Sequence, residues 1–151
     1  MFATVKNQES SRSHTIFQIK LCTSMSSKVI AKFSLVDLAG SERLSEGEKT
    51  VERIDEAKYI NKSLSALGNV ISSLRHARNT KSQHIPYRDS KLTHILKDSL
   101  GGNSLTHIII TLSPSSSNLQ ETLSSMKFAH TAKSVKQHLK ENVSDYEVII
   151  L

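Results

Sequence analysis

The sequence predicts an α/β domain, on the strength of its length and of its hydrophobic pattern. Apolar stretches of strand length alternate with segments of helical apolar spacing along the 151 residues, which is typical of an α/β fold. A chain of about 150 residues has the size of one domain and buries roughly two thirds of its unfolded surface. No internal repeat or composition shift marks a boundary, so we expect one compact domain.

The first two elements are predicted strands. In TIFQIKL, Ile16 and Gln18 face away from Phe17, Ile19 and Leu21. A polar turn, TSMSSK, separates this stretch from VIAKFSLVDL. The two stretches are therefore expected to form neighbouring, paired strands.

A long helix is predicted to begin near Val51. Apolar residues recur there every three or four positions, at Ala57, Ile60, Leu64, Leu67, Ile71 and Leu74. This spacing also suits a coiled coil, but the run covers only about three heptads. It also contains Gly68, which weakens an isolated helix by about 1 kcal/mol relative to alanine. We therefore expect the helix to pack on a core.

A second helix is predicted around its apolar residues Leu92, Ile95, Leu96 and Leu100. Gly101 and Gly102 should end it, because glycine adopts a positive φ at little cost. HIIITL then predicts a buried strand. Asn118 and Glu121 match a capping box, which predicts a last helix from about Leu119 to Leu139.

Composition restricts the partners and the compartment. The net charge of +6 and the pI near 9.5 favour an acidic partner, whether a nucleotide phosphate, nucleic acid, an anionic membrane or an acidic protein surface. Cys22 is the single cysteine, which excludes an internal disulfide and a cysteine-based zinc site, and the histidine spacings fit no common zinc pattern. The N-terminal stretch lacks the apolar core of a secretion signal, so we expect a cytosolic chain with no membrane segment.

Two segments carry side chains suited to phosphate chemistry. In LVDLAGSE, Asp37 closes a strand and can hold hydrated Mg²⁺, while the backbone N–H of Gly40 can approach a terminal phosphate. Taken alone, D-x-x-G suits a structural turn equally well. The segment NQESSRSH places hydroxyl groups and an arginine ahead of the first strand, which favours contact with an anion. A serine-hydrolase site is not indicated, because LAGSE departs from G-x-S-x-G.

Four segments together resemble the C-terminal portion of a kinesin motor domain. They are NQESSRSH, LVDLAGSER, NKSLSALGNVISSL and IPYRDSKLTHILKDSLGGNS, in the order of that family, within about residues 5–136. The resemblance implies a partial P-loop NTPase-like kinesin motor fold, a mixed central sheet flanked by helices with its N-terminal half missing. It further implies a motor segment at 1–136 and a neck-linker-like tail at 137–151.

The same resemblance implies ATP and Mg²⁺ as cofactors. The cofactor-binding residues would be Asn7, Ser10, Ser11, Ser13, Asp37 and Gly40. Ser11 and Asp37 would hold Mg²⁺ through water. Arg12 and Glu42 would form the catalytic pair that positions the attacking water; as an ordinary surface pair they would contribute at most about 1 kcal/mol. Loss of the γ-phosphate contacts would then release the long helix.

A basic cluster suits an acidic surface, and the family resemblance implies that this surface is the microtubule. The resemblance assigns microtubule binding to Lys62, Arg75, Lys81, Tyr87, Arg88, Lys91 and His94. From charge alone, a solvated basic face is an equal alternative, whereas DNA is disfavoured because no DNA-reading motif accompanies the cluster. His94 stands where the family has arginine, and Glu46 and Glu48 oppose an acidic surface. We expect weaker and pH-dependent microtubule binding.

The sequence contains no phosphate-binding P-loop. None of its five glycines is followed by lysine, so G-x-x-x-x-G-K-[ST] does not occur. We expect that this chain alone does not hydrolyse ATP and that its strands keep open, aggregation-prone edges.

The predicted function is a fragment of an ATP-dependent microtubule motor, either an incomplete gene model or a split motor whose N-terminal half is another chain. The alternative is a non-enzymatic microtubule-binding protein. Either would act on the cytoplasmic microtubule cytoskeleton, without nucleic acid or membrane.

Overall fold

The computed structural model describes residues 13–22, 29–41, 51–77, 84–136 and 139–140. Its strands and helices, in chain order, are β1 (Thr15–Cys22), β2 (Val29–Asp37), α1 (Val51–His76), α2 (Lys91–Ile95), α3 (Lys97–Gly101) and α4 (Leu119–Lys133). Short 3₁₀ helices at Tyr87–Asp89 and Ser116–Asn118 precede α2 and α4. The α/β prediction is confirmed, as is the start of the long helix at Val51.

The two strands form an antiparallel sheet, as the sequence predicts. Thr15 lies opposite Asp37, and the pairing continues to Cys22, with an irregularity after Leu21. Ile16 packs against the helical core, whereas Phe17 on the opposite face is 57% exposed. Ile16 is therefore the residue through which β1 contributes to the core, while the predicted apolar face of Phe17, Ile19 and Leu21 is more than half exposed.

The core lies between α1 and the segment that contains α2 and α3. Six buried residues form it, namely Leu67, Val70, Ile71, Leu92, Leu96 and Leu100. Partly buried residues pack around them: Ile16, Leu74, Ile85, Tyr87, Phe128, Ala132 and Val135. The apolar face of α1 therefore packs on its own domain, which confirms the prediction made against a coiled coil.

The predicted second helix is divided into two short helices. Leu96 between them has φ −84° and ψ 3°, outside helical geometry. A capping box starts α2: Ser90 Oγ accepts from the Thr93 N–H at 3.1 Å, and Thr93 Oγ1 accepts from the Ser90 N–H at 3.3 Å. Such caps satisfy backbone donors that a short helix leaves free. Sequence reasoning missed this cap because threonine occupies the usual position of Glu or Gln.

The two glycines end α3 for a different reason from the one predicted. Gly102 has φ −93°, so no positive φ is involved. A Cβ on Gly101 would instead overlap the Tyr87 hydroxyl and lie 2.9 Å from Leu74 Cδ2. A Cβ on Gly102 would lie 2.6 Å from the Asp98 carbonyl oxygen. Close packing of other groups on this backbone is what requires glycine.

The predicted strand at HIIITL is wrong, because residues 104–115 contain no regular secondary structure. A strand needs a neighbour to satisfy its backbone hydrogen bonds. Within the described residues the sheet consists of β1 and β2, and neither pairs with this segment. Ile109 is consequently 89% exposed.

The last helix starts where predicted but ends six residues earlier than the expected Leu139, at Lys133. Its final turn is tightened, since the Ser134 N–H bonds the Thr131 carbonyl at 3.2 Å and the Ser134 hydroxyl bonds the same carbonyl at 2.7 Å. The predicted Asn118–Glu121 capping box is wrong: Asn118 makes no side-chain cap bond and donates instead to Ser113 Oγ at 3.1 Å.

Candidate functional site

The described parts of the two segments suited to phosphate lie at one end of the sheet. Because Thr15 pairs with Asp37, the residues before β1 and those after β2 leave the sheet at the same end. Ser13 and Asp37 are exposed there, and Gly40 is half-buried. An exposed carboxylate, a hydroxyl group and a backbone position without Cβ therefore lie at the same end of the sheet. The other predicted nucleotide and catalytic residues lie outside the described residues: Asn7, Ser10, Ser11, Arg12 and Glu42.

His14 connects this end of the sheet to α1. The Ala39 N–H donates to His14 Nδ1 at 3.0 Å, and His14 Nε2 lies 2.6 Å from Ser63 Oγ. Ser63 in turn donates to the Ile60 carbonyl at 2.7 Å. Ala39 is buried, so its N–H would otherwise lack a partner. One side chain thus joins the start of β1, the loop after β2 and the middle of α1.

The three bonds require a single protonation state of the imidazole. Nδ1 accepts the Ala39 N–H, so it carries no proton, and Nε2 must then carry the proton of the neutral ring. The Ser63 hydroxyl already donates to a carbonyl, which leaves its oxygen free to accept from Nε2–H. Burial lowers the pKa of His14, which favours the same neutral form.

A second group of predicted residues forms what we call the basic face, composed of Lys62, Arg75, Arg88, Lys91 and His94. All five side chains are exposed. The first two belong to α1, and the others follow Pro86 on the 3₁₀ helix and α2. Because α1 contacts both of these elements, the five basic residues belong to one packed unit. Lys81 lies outside the described residues.

Tyr87, also predicted to bind microtubules, is placed differently from its basic neighbours. Its side chain packs against the core, and the Lys97 ammonium lies 5.8 Å from its ring centroid. Burial, together with the nearby Asp98 carboxylate, raises the pKa of Tyr87. Its position beside Gly101 gives this residue a clear packing role in the α2–α3 segment.

Three further contacts were missed by sequence reasoning. His14 and Ser63 stood in motifs, but nothing in the spacing indicated that they meet. Lys32 of β2 pairs with Asp98 of α3 at 3.1 Å. Asn103 forms two bonds of 2.7 Å with the backbone of Lys140, which fixes the beginning of the tail. Each pair is distant in sequence, so no local pattern could reveal it.

Two classes of site are not observed in the described part of the chain. None of the helices in these ranges has the length and apolar character needed to span a membrane. Nor do the described His, Cys, Asp and Glu residues form a group of three or more that could hold a metal ion.

The sequence was compared with protein families and with individual relatives. The family model described as "Kinesin motor domain" matches residues 1–135. A kinesin heavy chain from Neurospora crassa is 52% identical over 143 residues, which cover 93% of this chain and 15% of that protein. The kinesin-like protein KIF13A from Homo sapiens is 48% identical over 149 residues, covering 93% of this chain and 8% of its own length. The chain therefore spans a small part of these relatives.

Solved structures agree with the sequence comparison. A KIF14 dimer in the two-heads-bound state with AMP-PNP, in complex with a microtubule, superimposes with a TM-score of 0.74 at 42% identity, covering 87% of this chain and 38% of that chain. The C-terminal motor and motor homology domain of Kar3Vik1 gives a TM-score of 0.70 at 46% identity, covering 84% and 34%. The family match, the relatives and the fold agree: this chain belongs to the kinesin motor-domain family.

Proposed function

We propose that this chain is the part of a microtubule motor that carries the nucleotide switches and the microtubule-binding face. The observation that carries the proposal is the joining of two motif segments at one end of the sheet, where His14 ties the loop after Asp37 to α1. α1 also carries Lys62 and Arg75 of the basic face. One helix therefore connects a phosphate-suited edge to a cationic surface.

The residues at the sheet end suit a nucleotide with magnesium. Asp37 is an exposed carboxylate, and hard oxygen ligands with water are what Mg²⁺ prefers. Asp37 and Ser11 would hold the ion through water, and Asn7, Ser10, Ser13 and Gly40 would contact the nucleotide. Bound Mg²⁺ supplies positive charge that neutralises phosphate oxygens. Arg12 and Glu42 would orient the attacking water.

The proposed partner of the basic face is the microtubule. The similar KIF14 dimer binds a microtubule in the presence of AMP-PNP, and the matched region includes most of this chain. The exposed lysine and arginine side chains of the basic face suit an acidic protein surface. Lys81 is assigned to the same surface, and Tyr87 supports it from the core side. The protein would accordingly act on cytoplasmic microtubules.

The segment boundary is also part of the proposal. Val135 is packed against the core, and the regular helix ends at Lys133. We place the motor segment at 1–136 and a neck-linker-like tail at 137–151, held at its start by Asn103. An N-terminal motor half, on the same polypeptide or on another chain, would supply the P-loop.

Cosedimentation with microtubules tests this function. The purified native protein is pelleted with taxol-stabilised microtubules in ATP, ADP or AMP-PNP, and we expect the affinity to differ among the nucleotides. Paired substitution of Arg88→Glu and Lys91→Glu should weaken binding by about tenfold, the equivalent of about 1.4 kcal/mol. The matched control is Lys127→Glu with Lys133→Glu on α4, which makes the same charge change outside the basic face.

The outcomes separate the two candidate functions. Binding that depends on both the nucleotide and the basic face supports the motor segment. Binding that depends on the basic face but is equal in all nucleotides supports the non-enzymatic microtubule-binding protein. Equal loss in both charge-reversed variants would overturn the assignment of the surface.

A further inference from the structure

We propose that His14 is a positioning residue whose neutral, Nε2-protonated imidazole fastens the loop after β2 to α1. The Ala39 N–H and the Ser63 hydroxyl are its two partners, at 3.0 and 2.6 Å. His14 and Ser63 lie within NQESSRSH and NKSLSALGNVISSL, two of the segments that carry the resemblance, but the resemblance assigned no role to either residue. The assignment follows from the hydrogen-bond geometry alone.

The position of Ala39 gives the bond its importance. Ala39 follows Asp37 by two residues and immediately precedes Gly40, so fixing its N–H fixes the backbone between the two groups suited to magnesium and phosphate. Ala39 is 4% exposed, so water has little access to this N–H and the imidazole is its acceptor. Loss of Nδ1 would therefore leave a buried donor without an acceptor.

Ser63 forms the other end of the connection, on α1. It lies about midway along α1, and its hydroxyl proton is already committed to the Ile60 carbonyl at 2.7 Å. The imidazole Nε2–H therefore donates to the Ser63 hydroxyl oxygen, and the Ser63 hydroxyl donates in turn to the helix backbone. This chain of bonds lets a displacement of the Ala39 loop act directly on α1.

The consequence for switching rests on the proposed function, whereas the bond itself does not. If Gly40 senses phosphate, His14 transmits the position of the loop to the helix that carries part of the basic face. The imidazole would then be a mechanical connection between the two sites. Its protonation state can be measured whether or not a nucleotide binds.

Nitrogen NMR of the native protein labelled with ¹⁵N-histidine tests the inference directly. The His14 signal is assigned by its absence in His14→Asn. We expect a protonated Nε2 and an unprotonated Nδ1 at neutral pH. A neutral ring protonated on Nδ1, or a doubly protonated ring, would overturn the proposal, since neither can accept the Ala39 N–H.

Two substitutions of His14, each of which can keep one of its two hydrogen bonds, distinguish the bond to Ala39 from the bond to Ser63. The readout is hydrogen exchange at the Ala39 amide. The side-chain oxygen of His14→Asn can take the place of Nδ1, whereas the side-chain amide of His14→Gln can reach only toward Ser63. Exchange should remain slow in His14→Asn and accelerate about fivefold in His14→Gln, the equivalent of one net hydrogen bond. Equal exchange rates in both variants would contradict the assignment.

A control variant and the addition of nucleotide are measured in the same way. His84→Asn is the matched control, because His84 is exposed, and it should leave Ala39 exchange unchanged. Addition of Mg²⁺ with AMP-PNP tests the proposed function separately. An unaltered spectrum would count against nucleotide binding, while the protonation state of His14 would still decide the positioning role.

Discussion

The helical side of the molecule and the β-hairpin differ in how they use similar apolar residues. Leu96 in the helical core is 5% exposed, whereas Leu35 in β2 is 56% exposed. Val70 of α1 is completely buried, yet Phe33 of β2 is 57% exposed. Hydrophobic stabilisation follows the area removed from water, so Leu96 contributes more to folding stability than Leu35 does, although both are leucines. The described helices have a core of their own, whereas the outer face of the hairpin leaves apolar side chains exposed.

The largest expected effect tests this contrast with one substitution made in both regions. Leu96→Ala should lower the free energy of unfolding by about 2–5 kcal/mol, because it removes a buried side chain and leaves a cavity. Leu35→Ala should cost less than about 1 kcal/mol, since half of its side chain is already in water. Urea denaturation of the isolated 151-residue chain measures both. Equal losses would show that the hairpin is buried in solution.

Two glycines on the helical side sharpen the comparison. Gly101→Ala should destabilise by about 1–3 kcal/mol, because its Cβ would meet the Tyr87 hydroxyl and Leu74. A Cβ on Gly68 would lie within 4 Å of no described atom apart from its chain neighbours and the nearby backbone of α1, so Gly68→Ala should stabilise α1 by up to about 1 kcal/mol. Thermal unfolding distinguishes these opposite signs. Destabilisation by both variants would mean that another group packs against Gly68 in solution.

The pH dependence of stability tests the connection between the regions at His14. Burial holds the pKa of folded His14 below its ordinary value of 6.5, so the unfolded chain binds the proton more strongly. The stabilising contribution is therefore complete above pH 6.5 and is lost as the pH falls toward the folded pKa. Urea midpoints between about pH 7 and about pH 5 should fall more in the wild type than in His14→Asn. Parallel curves would contradict this contribution.

The smallest expected effect concerns the ion pair between the hairpin and α3. Lys32 and Asp98 are 3.1 Å apart, but 74% of the Asp98 side chain is exposed. A double-mutant cycle with Lys32→Ala and Asp98→Ala should give a coupling of about 0.2–1 kcal/mol that decreases with salt. A larger, salt-independent coupling would indicate that this contact is buried in solution and that the hairpin is held more firmly.

Several elements could be predicted because their signals are local. The spacing that places Leu67 and Ile71 on one face of α1 depends only on helical geometry. The pairing of β1 with β2 followed from alternation and a short polar connection. The strand prediction for HIIITL was wrong because a strand also needs a neighbouring strand, which local composition does not report. Its composition suits a strand, but its backbone has no strand neighbour in the described chain.

By itself, the sequence determined the family, the positions of the main helices and strands, and the identity of the residues suited to phosphate and to an acidic surface. Only the tertiary structure decided that His14 meets Ala39 and Ser63, which are 25 and 49 residues away in the chain. It likewise decided that Tyr87 packs beside Gly101 rather than projecting with its basic neighbours. Periodicity reports the neighbours of a residue along its own element, whereas contacts between elements depend on how the whole chain packs.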